Sequence, residues 1–335
     1  MTRLFALWTE HSIFPASFKT AHILGLKKKR DAVRPLDFRP IALLNTDYKV
    51  YTRVFATRIR GKASALVHGM QNGFVPGRNI HTTLDAYYAV KALVAARKLP
   101  ATVLVLLLDF AKAYDSLRRD FLLWVLKNYG FPPKFLGMVE GLHHGTSCQF
   151  LVNGFASRVV GITTGIRQGC PLAPLLFILA LDPLYRSIEN SQRLGGLQIG
   201  EGTRKLKVAG YADDTALYLS SVAEIPAALD ILAEFGAVSG LRVNVAKSIG
   251  VHLTFQETEE VASHHGIPIL RNSESCRYLG LQVGCGDTSA DNWSRCLQAT
   301  AGRVALAIAK THTVLQTCSD CQGGYCQQDS VCCEA

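Results

Sequence analysis

The sequence has no apolar run long enough to cross a membrane. Its longest charge-free apolar stretch, from Gly169 to Leu181, has 13 residues and contains two prolines, whereas a membrane-spanning helix needs about 20 residues. The first residues also lack the apolar core and the small-residue cleavage site of a secretory signal. We therefore expect an intracellular chain without a membrane partner, and the nucleus is one candidate compartment.

Acidic residues are scarce in the first third of the chain. Residues 1–100 hold 17 Lys and Arg but only 5 Asp and Glu, a net charge of +12, whereas residues 101–335 carry a net charge of −2. A basic region of this kind attracts polyanions, and nucleic acid is the first candidate among them. A basic surface also keeps a protein soluble, so charge alone leaves both interpretations open. With 48% hydrophobic and 19% charged residues, the chain is globular and can bury a sizeable core.

The hydrophobic pattern mixes strands and helices in an irregular order. A continuous apolar run from Thr102 to Leu108 predicts a buried strand that ends on Asp109. The dipeptide Asn153-Gly154 predicts a hairpin between residues 148–152 and 157–162. Apolar spacing predicts helices over residues 48–66, 82–98, 174–188 and 225–238. Together these elements predict an α+β fold with a mainly antiparallel sheet and helices on one face.

Carboxylates stand at the ends of two predicted strand segments. Asp109 ends the buried strand, and Asp213 and Asp214 lie at a hairpin tip between strands 206–211 and 215–219. Asp is common in turns, so the pair alone is explained by turn formation. If the strands are neighbours, however, three carboxylates converge and repel one another unless divalent cations bind them. Mg²⁺ prefers such oxygen ligands and is completed by substrate phosphates, an arrangement that serves phosphoryl transfer.

The same carboxylates lie within motifs that resemble reverse transcriptases of LINE-type (non-LTR) retrotransposons. Tyr211-Ala212-Asp213-Asp214 resembles the signature tetrapeptide of that family, and six further segments match its motifs in order and spacing: residues 38–49, 71–78, 109–115, 165–177, 239–248 and 278–280. Seven ordered motifs are far more specific than one tetrapeptide. The resemblance implies a right-hand polymerase fold, with fingers, a palm built on an antiparallel sheet, and a truncated thumb.

By resemblance, Asp109, Asp213 and Asp214 are catalytic metal ligands, joined by the Phe110 carbonyl. The implied cofactor is Mg²⁺, with Mn²⁺ as a substitute. Lys247 matches the position of a proton donor to the pyrophosphate leaving group, although most lysines are solvated surface charges.

The resemblance also implies a set of nucleotide-binding residues. Tyr114 matches an aromatic ring that blocks a sugar 2′-hydroxyl and so favours deoxynucleotides, whereas outside such a motif it would be an ordinary core aromatic. Gln168 and Gly169 match a loop that packs on template and incoming nucleotide. Contacts to phosphates are expected from three basic residues of the fingers: Arg39, Lys49 and Arg78. The run Lys27–Arg30 is expected to contact nucleic acid generally.

The resemblance divides the chain into four parts. They are basic, N-terminally incomplete fingers over 1–100, a palm with inserted fingers elements over 101–286, the start of a thumb over 287–316, and a Cys-rich tail over 317–335. Four tail cysteines have a spacing close to a zinc knuckle: Cys318, Cys321, Cys326 and Cys332. Because the third is Cys rather than His and few apolar residues surround them, we expect a disordered or out-of-frame end rather than a zinc site.

Two functions from different classes follow from the sequence. The first is an RNA-directed DNA polymerase that joins dNTPs to a DNA primer on an RNA template through two metal ions. The second is a retroelement remnant that binds nucleic acid without polymerising. A group II intron maturase fits the fingers motifs less well. The sequence does not specify the oligomeric state, the template or the target site.

Overall fold

The computed structural model describes residues 2–28, 31–200, 202, 205–253 and 263–310. The predicted Cys-rich tail lies outside the described residues. The α-helices within them are α1 (Thr2–His11), α2 (Ala16–Lys19), α3 (Thr46–Leu66), α4 (Ile80–Ala95), α5 (Ala113–Ser116), α6 (Arg119–Asn128), α7 (Pro133–His143), α8 (Ala173–Asn190), α9 (Ile225–Ser239) and α10 (Ser289–Lys310).

Two short 3₁₀ turns, Pro35–Asp37 and Val222–Glu224, accompany the helices. The strands of the described residues are β1 (Thr20–Lys27), β2 (Phe38–Leu43), β3 (Leu104–Leu108), β4 (Thr146–Val152), β5 (Phe155–Ala156), β6 (Val160–Ile162), β7 (Leu197–Gln198), β8 (Lys205–Leu206), β9 (Val208–Tyr211), β10 (Asp214–Leu219), β11 (Ile249–His252), β12 (Ser263–His264), β13 (Ile267–Leu270), β14 (Cys276–Tyr278) and β15 (Leu281–Val283). The predicted α+β class is confirmed.

A six-stranded central sheet organises the fold. Its strand order is β12-β13-β11-β3-β10-β9, and every neighbouring pair is antiparallel except β11 with β13. All five residues of β3 are buried, because this strand has a partner on each side and helices above and below. The continuous apolar run of the sequence is therefore a central strand, as predicted.

The two faces of the central sheet pack against different helices. Leu104, Leu106 and Leu108 of β3 belong to the core formed with α6 to α9, whereas the alternate residues Val103, Val105 and Leu107 join the core formed with α4. The expectation of helices on one face was therefore wrong. The apolar residues of α4 bury the second face, since strand side chains alternate between faces.

The hydrophobic helix α8 fills the space beneath the first face. Twelve of its 18 residues are buried, including Leu176, Phe177 and Tyr185. Pro183 lies inside this helix, and Asp182 before it is also buried. A helix that is apolar on nearly all sides is typical of the centre of a core, and this one places its N-terminal end next to the cleft described below.

A second sheet is formed by strands from two distant parts of the chain. β1 pairs with β2 antiparallel and with β4 parallel, and β5 and β6 pair with β4. The hairpin predicted at Asn153-Gly154 joins β4 to β5, and both loop residues have positive φ, 50° and 84°. That conformation is the reason why Asn-Gly favours two-residue hairpins.

Helix α10 ends the described part of the chain. It carries an exposed apolar stripe that includes Trp293, Leu297 and Ile308, which recur at near-helical intervals.

The boundaries of the predicted fingers, palm and thumb stay a prediction. Within the described residues, no helix combines the length and apolarity that a membrane crossing requires.

Candidate active site

The first carboxylate, Asp109, follows directly after the central strand β3. Its backbone NH donates to Ser248 Oγ at 3.2 Å, and its carbonyl oxygen accepts from the Asn244 NH at 2.7 Å. Phe110 forms an isolated bridge with Val243. The segment 243–248 therefore holds the backbone of Asp109 after the regular strand pairing has ended.

The other two carboxylates lie at the tip of the β9–β10 hairpin. Tyr211 pairs with Asp214, so Ala212 and Asp213 form a two-residue loop. Because Thr215 pairs with Leu108, continuing the antiparallel register by one residue sets Asp214 opposite Asp109. The convergence expected from the sequence thus follows from the adjacency of β3 and β10.

The electrostatics of the three carboxylates reflect this convergence. Burial raises the pKa of Asp213, the negative charge of Asp109 raises it further, and Arg39 lowers it. Burial also raises the pKa of Asp214, to about 6, with added repulsion from Asp213 and Asp109. Carboxylates that repel one another in this way favour a bound cation.

A cleft of about 750 Å³ opens beside Asp109 and Asp213. Its wall contains eight of the residues predicted from the sequence: Arg39, Asp109, Phe110, Tyr114, Gln168, Gly169, Asp213 and Lys247. Asp214, Lys49 and Arg78 are not part of this wall. Residues more than 170 positions apart in the chain therefore meet at one site.

The loop that carries Gln168 and Gly169 is fixed to strand β2. The Ala42 NH donates to the Gln168 carbonyl oxygen at 3.0 Å. Gly169 has a φ of +108°, and a Cβ there would lie 2.6 Å from the Ala42 carbonyl oxygen. Only glycine fits this close approach, which ties the loop to the strand that supplies Arg39.

Tyr114 lines the cleft through a ring that packs on helix α8. It stacks on Phe177 with ring centroids 4.7 Å apart and an interplanar angle of 14°. Burial raises the pKa of its hydroxyl, and the charge of Asp213 adds to this effect, so the phenol stays neutral and close to the carboxylates. The position is compatible with the predicted contact to a sugar ring.

Four basic side chains surround the cleft. Arg39 and Lys247 were identified from the motifs, Lys28 belongs to the basic run after β1, and Lys112 follows Asp109 by three residues. Positive charge beside carboxylates suits a ligand that carries both a bound cation and several phosphate oxygens.

Two predicted phosphate contacts lie away from this cleft. Lys49 is exposed on the first turns of α3. The Arg78 guanidinium donates to four backbone carbonyl oxygens at or just beyond the end of that helix, those of Ser64, Val67, His68 and Gln71. These bonds give Arg78 a structural position, and its role in phosphate binding stays a prediction.

Three hydrophilic side chains that line the cleft were not predicted as site residues from the sequence. They are Lys112, Asp115 and Asn244. Burial raises the pKa of Asp115, and Lys112 and Lys28 partly offset that rise. The signal was present, since all three lie inside the quoted motifs, but a motif does not tell which of its side chains reach the cleft.

The carboxylates do not form a complete metal cage by themselves. Among the described residues, no group of three His, Cys, Asp or Glu side chains is arranged to hold a metal ion. Mg²⁺ is usually bound through one or two carboxylates together with water and substrate phosphates. Asp109 and Asp213 on one cleft fit that incomplete set of ligands.

Comparison with known proteins identifies the family. A family model described as reverse transcriptase (RNA-dependent DNA polymerase) matches residues 26–283. The chain belongs to the reverse transcriptase family. The protein described as the uncharacterized 149 kDa protein of transposon TX1 from Xenopus laevis is 30% identical to this reverse transcriptase over 238 residues, 71% of this chain and 18% of its own length.

Another relative and a solved structure are also similar to the chain. The Drosophila melanogaster Pol polyprotein from retrotransposable element R2DM is 27% identical over 276 residues, 80% of this chain and 25% of its own length. The structure of telomerase from Candida albicans with a fragment of telomeric RNA has a TM-score of 0.52 at 11% identity, covering 86% of this chain and 48% of that one; this likeness concerns the fold.

These comparisons confirm the LINE-type reverse transcriptase predicted from the motifs. They also confirm the fingers-and-palm architecture of the fold class. The chain spans a quarter or less of the length of the two curated relatives.

Proposed function

We propose that this reverse transcriptase chain is an RNA-directed DNA polymerase that joins dNTPs to the 3′-hydroxyl of a DNA primer. The observation that carries the proposal is the meeting of Asp109, at the end of β3, and Asp213, in the β9–β10 turn, in one cleft with Arg39, Gln168 and Lys247. Carboxylates beside positive charge and a polar loop are the parts that nucleotidyl transfer requires.

Asp109, Asp213 and Asp214, with the Phe110 carbonyl, would hold two Mg²⁺ ions, and Mn²⁺ would substitute. The bound ions would lower the pKa of the attacking hydroxyl and neutralise charge on the leaving oxygen. The raised pKa values of Asp213 and Asp214 support cation binding, because a cation relieves the repulsion that causes part of the shift.

The side chains of the cleft would position the nucleotide. Arg39 would bind phosphate oxygens, for which a guanidinium is well suited. Gln168 and Gly169 would pack against the base pair, and the Tyr114 ring would exclude a 2′-hydroxyl. Lys247, exposed on the cleft wall, would give a proton to the departing pyrophosphate.

The nucleic-acid partners would be an RNA template and a DNA primer. The net charge of +12 in residues 1–100 supports phosphate contacts there, and β1, β2 and α3 are built from this basic part. Binding that depends on such contacts weakens steeply as salt rises.

The decisive experiment measures Mg²⁺-dependent dNTP incorporation on a primed RNA template. Asp213→Asn is compared with wild type and with Asp230→Asn, the same substitution at an exposed position of helix α9. We expect wild type and Asp230→Asn to extend the primer, and Asp213→Asn to lose about 10³-fold in rate, while all three bind RNA equally.

The alternative outcomes are equally clear. Full activity in Asp213→Asn would refute the metal site. No incorporation by any of the proteins, with salt-sensitive RNA binding retained, would instead identify a remnant that binds nucleic acid without polymerising.

A further inference from the structure

The segment Met70–Gly73 runs along the outer edge of the hairpin that carries Asp213. The Gly210 NH donates to the Met70 carbonyl oxygen at 3.0 Å, and the Asn72 NH donates to the Gly210 carbonyl oxygen at 2.8 Å. Gln71 forms a parallel bridge with Gly210. This segment therefore adds a short strand to β9, immediately before the turn.

The carboxamide of Gln71 binds both backbone groups of one turn residue. Its Nε2 donates to the Ala212 carbonyl oxygen at 2.9 Å, and its Oε1 accepts from the Ala212 NH at 2.8 Å. Gln71 is 1% exposed, so water does not compete for these bonds. One side chain thus fixes the peptide groups on both sides of the Ala212 Cα, including the peptide that leads into Asp213.

The turn needs such support because Ala212 has an unfavourable backbone. Its φ is +57°, in the left-handed region that disfavours residues with a Cβ. Two-residue hairpins with one positive φ at this position normally place glycine there. Strained residues persist where the surrounding structure determines them from several sides, and here Gln71 supplies that constraint.

The backbone next to Gln71 is shaped for this contact. The Gly73 NH donates to Gln71 Oε1 at 2.9 Å, which orients the carboxamide, and a Cβ at Gly73 would overlap the Ala212 backbone. The same segment is fixed from behind, since the His68 NH donates to the buried Asp182 carboxylate and Arg78 donates to the Gln71 carbonyl oxygen.

We propose that Gln71 is the positioning residue of the catalytic turn: its carboxamide holds the Ala212 peptides and thereby places Asp213 at the cleft. The inference rests on the proposed polymerase function for its effect on rate. Its structural part, the constraint on the turn, can be measured without any catalysis.

Hydrogen exchange in the wild-type protein tests the constraint directly. The Ala212 amide should exchange at least tenfold more slowly than the Gly154 amide, which lies in another two-residue hairpin loop, Asn153-Gly154, whose two residues are both exposed. Equal exchange at the two tips would overturn the proposal, whether or not the protein polymerises.

Two variants separate positioning from general stability. Gln71→Met removes the carboxamide at similar volume. Thr83→Val removes two other buried hydrogen bonds beside the same turn, from Thr83 Oγ1 to the Gly210 carbonyl oxygen and from Asn72 Nδ2 to Thr83 Oγ1, without touching Ala212. We expect Gln71→Met alone to speed exchange at Ala212 and to lower kcat about 10²-fold, the effect of a misplaced catalytic group, with the dNTP KM within threefold of wild type.

The outcomes distinguish this inference from the proposed function. If Gln71→Met and Thr83→Val lose activity and exchange protection alike, Gln71 is merely structural and the inference fails. If wild type incorporates no dNTP but Gln71→Met still exposes the Ala212 amide, the proposed function fails while the constraint on the turn stands. If Gln71→Met does not fold, the wild-type comparison with Gly154 decides.

Discussion

Gly73 and Ala212 are in backbone contact, and the contact leaves no room for a side chain at Gly73. A Cβ built there would overlap the backbone nitrogen and Cα of Ala212. The glycine at this position is therefore explained by its closeness to the Ala212-Asp213 turn, since its own φ is not positive.

Gly73→Ala should displace the turn. We expect it to reduce the free energy of unfolding by about 1–3 kcal/mol, because overpacking against backbone cannot be relieved by a rotamer change. Primer extension should fall more than this loss of stability explains. Urea denaturation and single-nucleotide incorporation measure the two effects. If neither the free energy of unfolding nor the incorporation rate changed, the hairpin would have accommodated the added methyl group at no cost, which would contradict this prediction.

The matched control is Gly61→Ala on the exposed side of α3. Nothing lies within 4 Å of a Cβ at Gly61, and alanine favours the helix, so this variant should be more stable by up to about 1 kcal/mol. Activity should stay at the wild-type level.

Arg78→Ala tests whether this residue holds the backbone or binds phosphate. Loss of its bonds to the His68 and Gln71 carbonyl oxygens, 2.6 and 2.7 Å long, should reduce the free energy of unfolding by about 2 kcal/mol. The dependence of RNA affinity on salt should not change. A slope reduced by about 0.7, the value for one lost phosphate contact on a single strand, would confirm the phosphate contact predicted from the sequence.

Tyr114 should control the choice between deoxyribonucleotides and ribonucleotides. Tyr114→Val removes the ring that stacks on Phe177. The relative use of ribonucleotides should then rise by at least about tenfold, because a tenfold change in rate corresponds to about 1.4 kcal/mol of lost steric barrier. Tyr114→Phe keeps the ring and should leave selection unchanged. Competing incorporation of dGTP and GTP measures the ratio, and equal ratios in Val and Phe variants would contradict a steric role.

His143 should make stability fall in mild acid. Burial lowers the pKa of this imidazole to about 3, with Arg167 and Arg119 adding to the effect and a bond to the Val139 carbonyl opposing it. Between pH 6.5 and 3 the unfolded chain binds a proton that the folded chain does not, so stability is lost as pH falls through this range.

Protonation of His143 in the unfolded chain should lower the free energy of unfolding by about 2 kcal/mol between pH 7 and pH 5. Urea denaturation at both pH values should show it in wild type and in the exposed neighbour variant His144→Gln, but not in His143→Leu. Equal pH dependence in all three proteins would mean that the pKa of His143 is the same in the folded and unfolded states, and would contradict this prediction.

Local patterns predicted much of the secondary structure, because each depends on neighbouring residues. The helix predicted over 174–188 is α8, Ala173–Asn190, and the hairpin at Asn153-Gly154 forms as expected. The buried strand before Asp109 was recognisable because both of its faces are apolar. Helix α4 on the second face of the sheet was not predictable, since periodicity shows that a helix has an apolar side but not what that side covers.

By itself, the sequence determined the family, the α+β class and the identity of the candidate carboxylates, because motif order and hydrophobic periodicity are properties of the chain alone. Only the tertiary structure decided which motif residues face the cleft. It placed Lys112, Asp115 and Asn244 there, directed Arg78 to the end of α3, and brought Gln71 against Ala212. Gln71 and Ala212 are 141 positions apart, and contacts between such distant residues are set by the pairing of strands and the packing of helices, which local sequence does not encode.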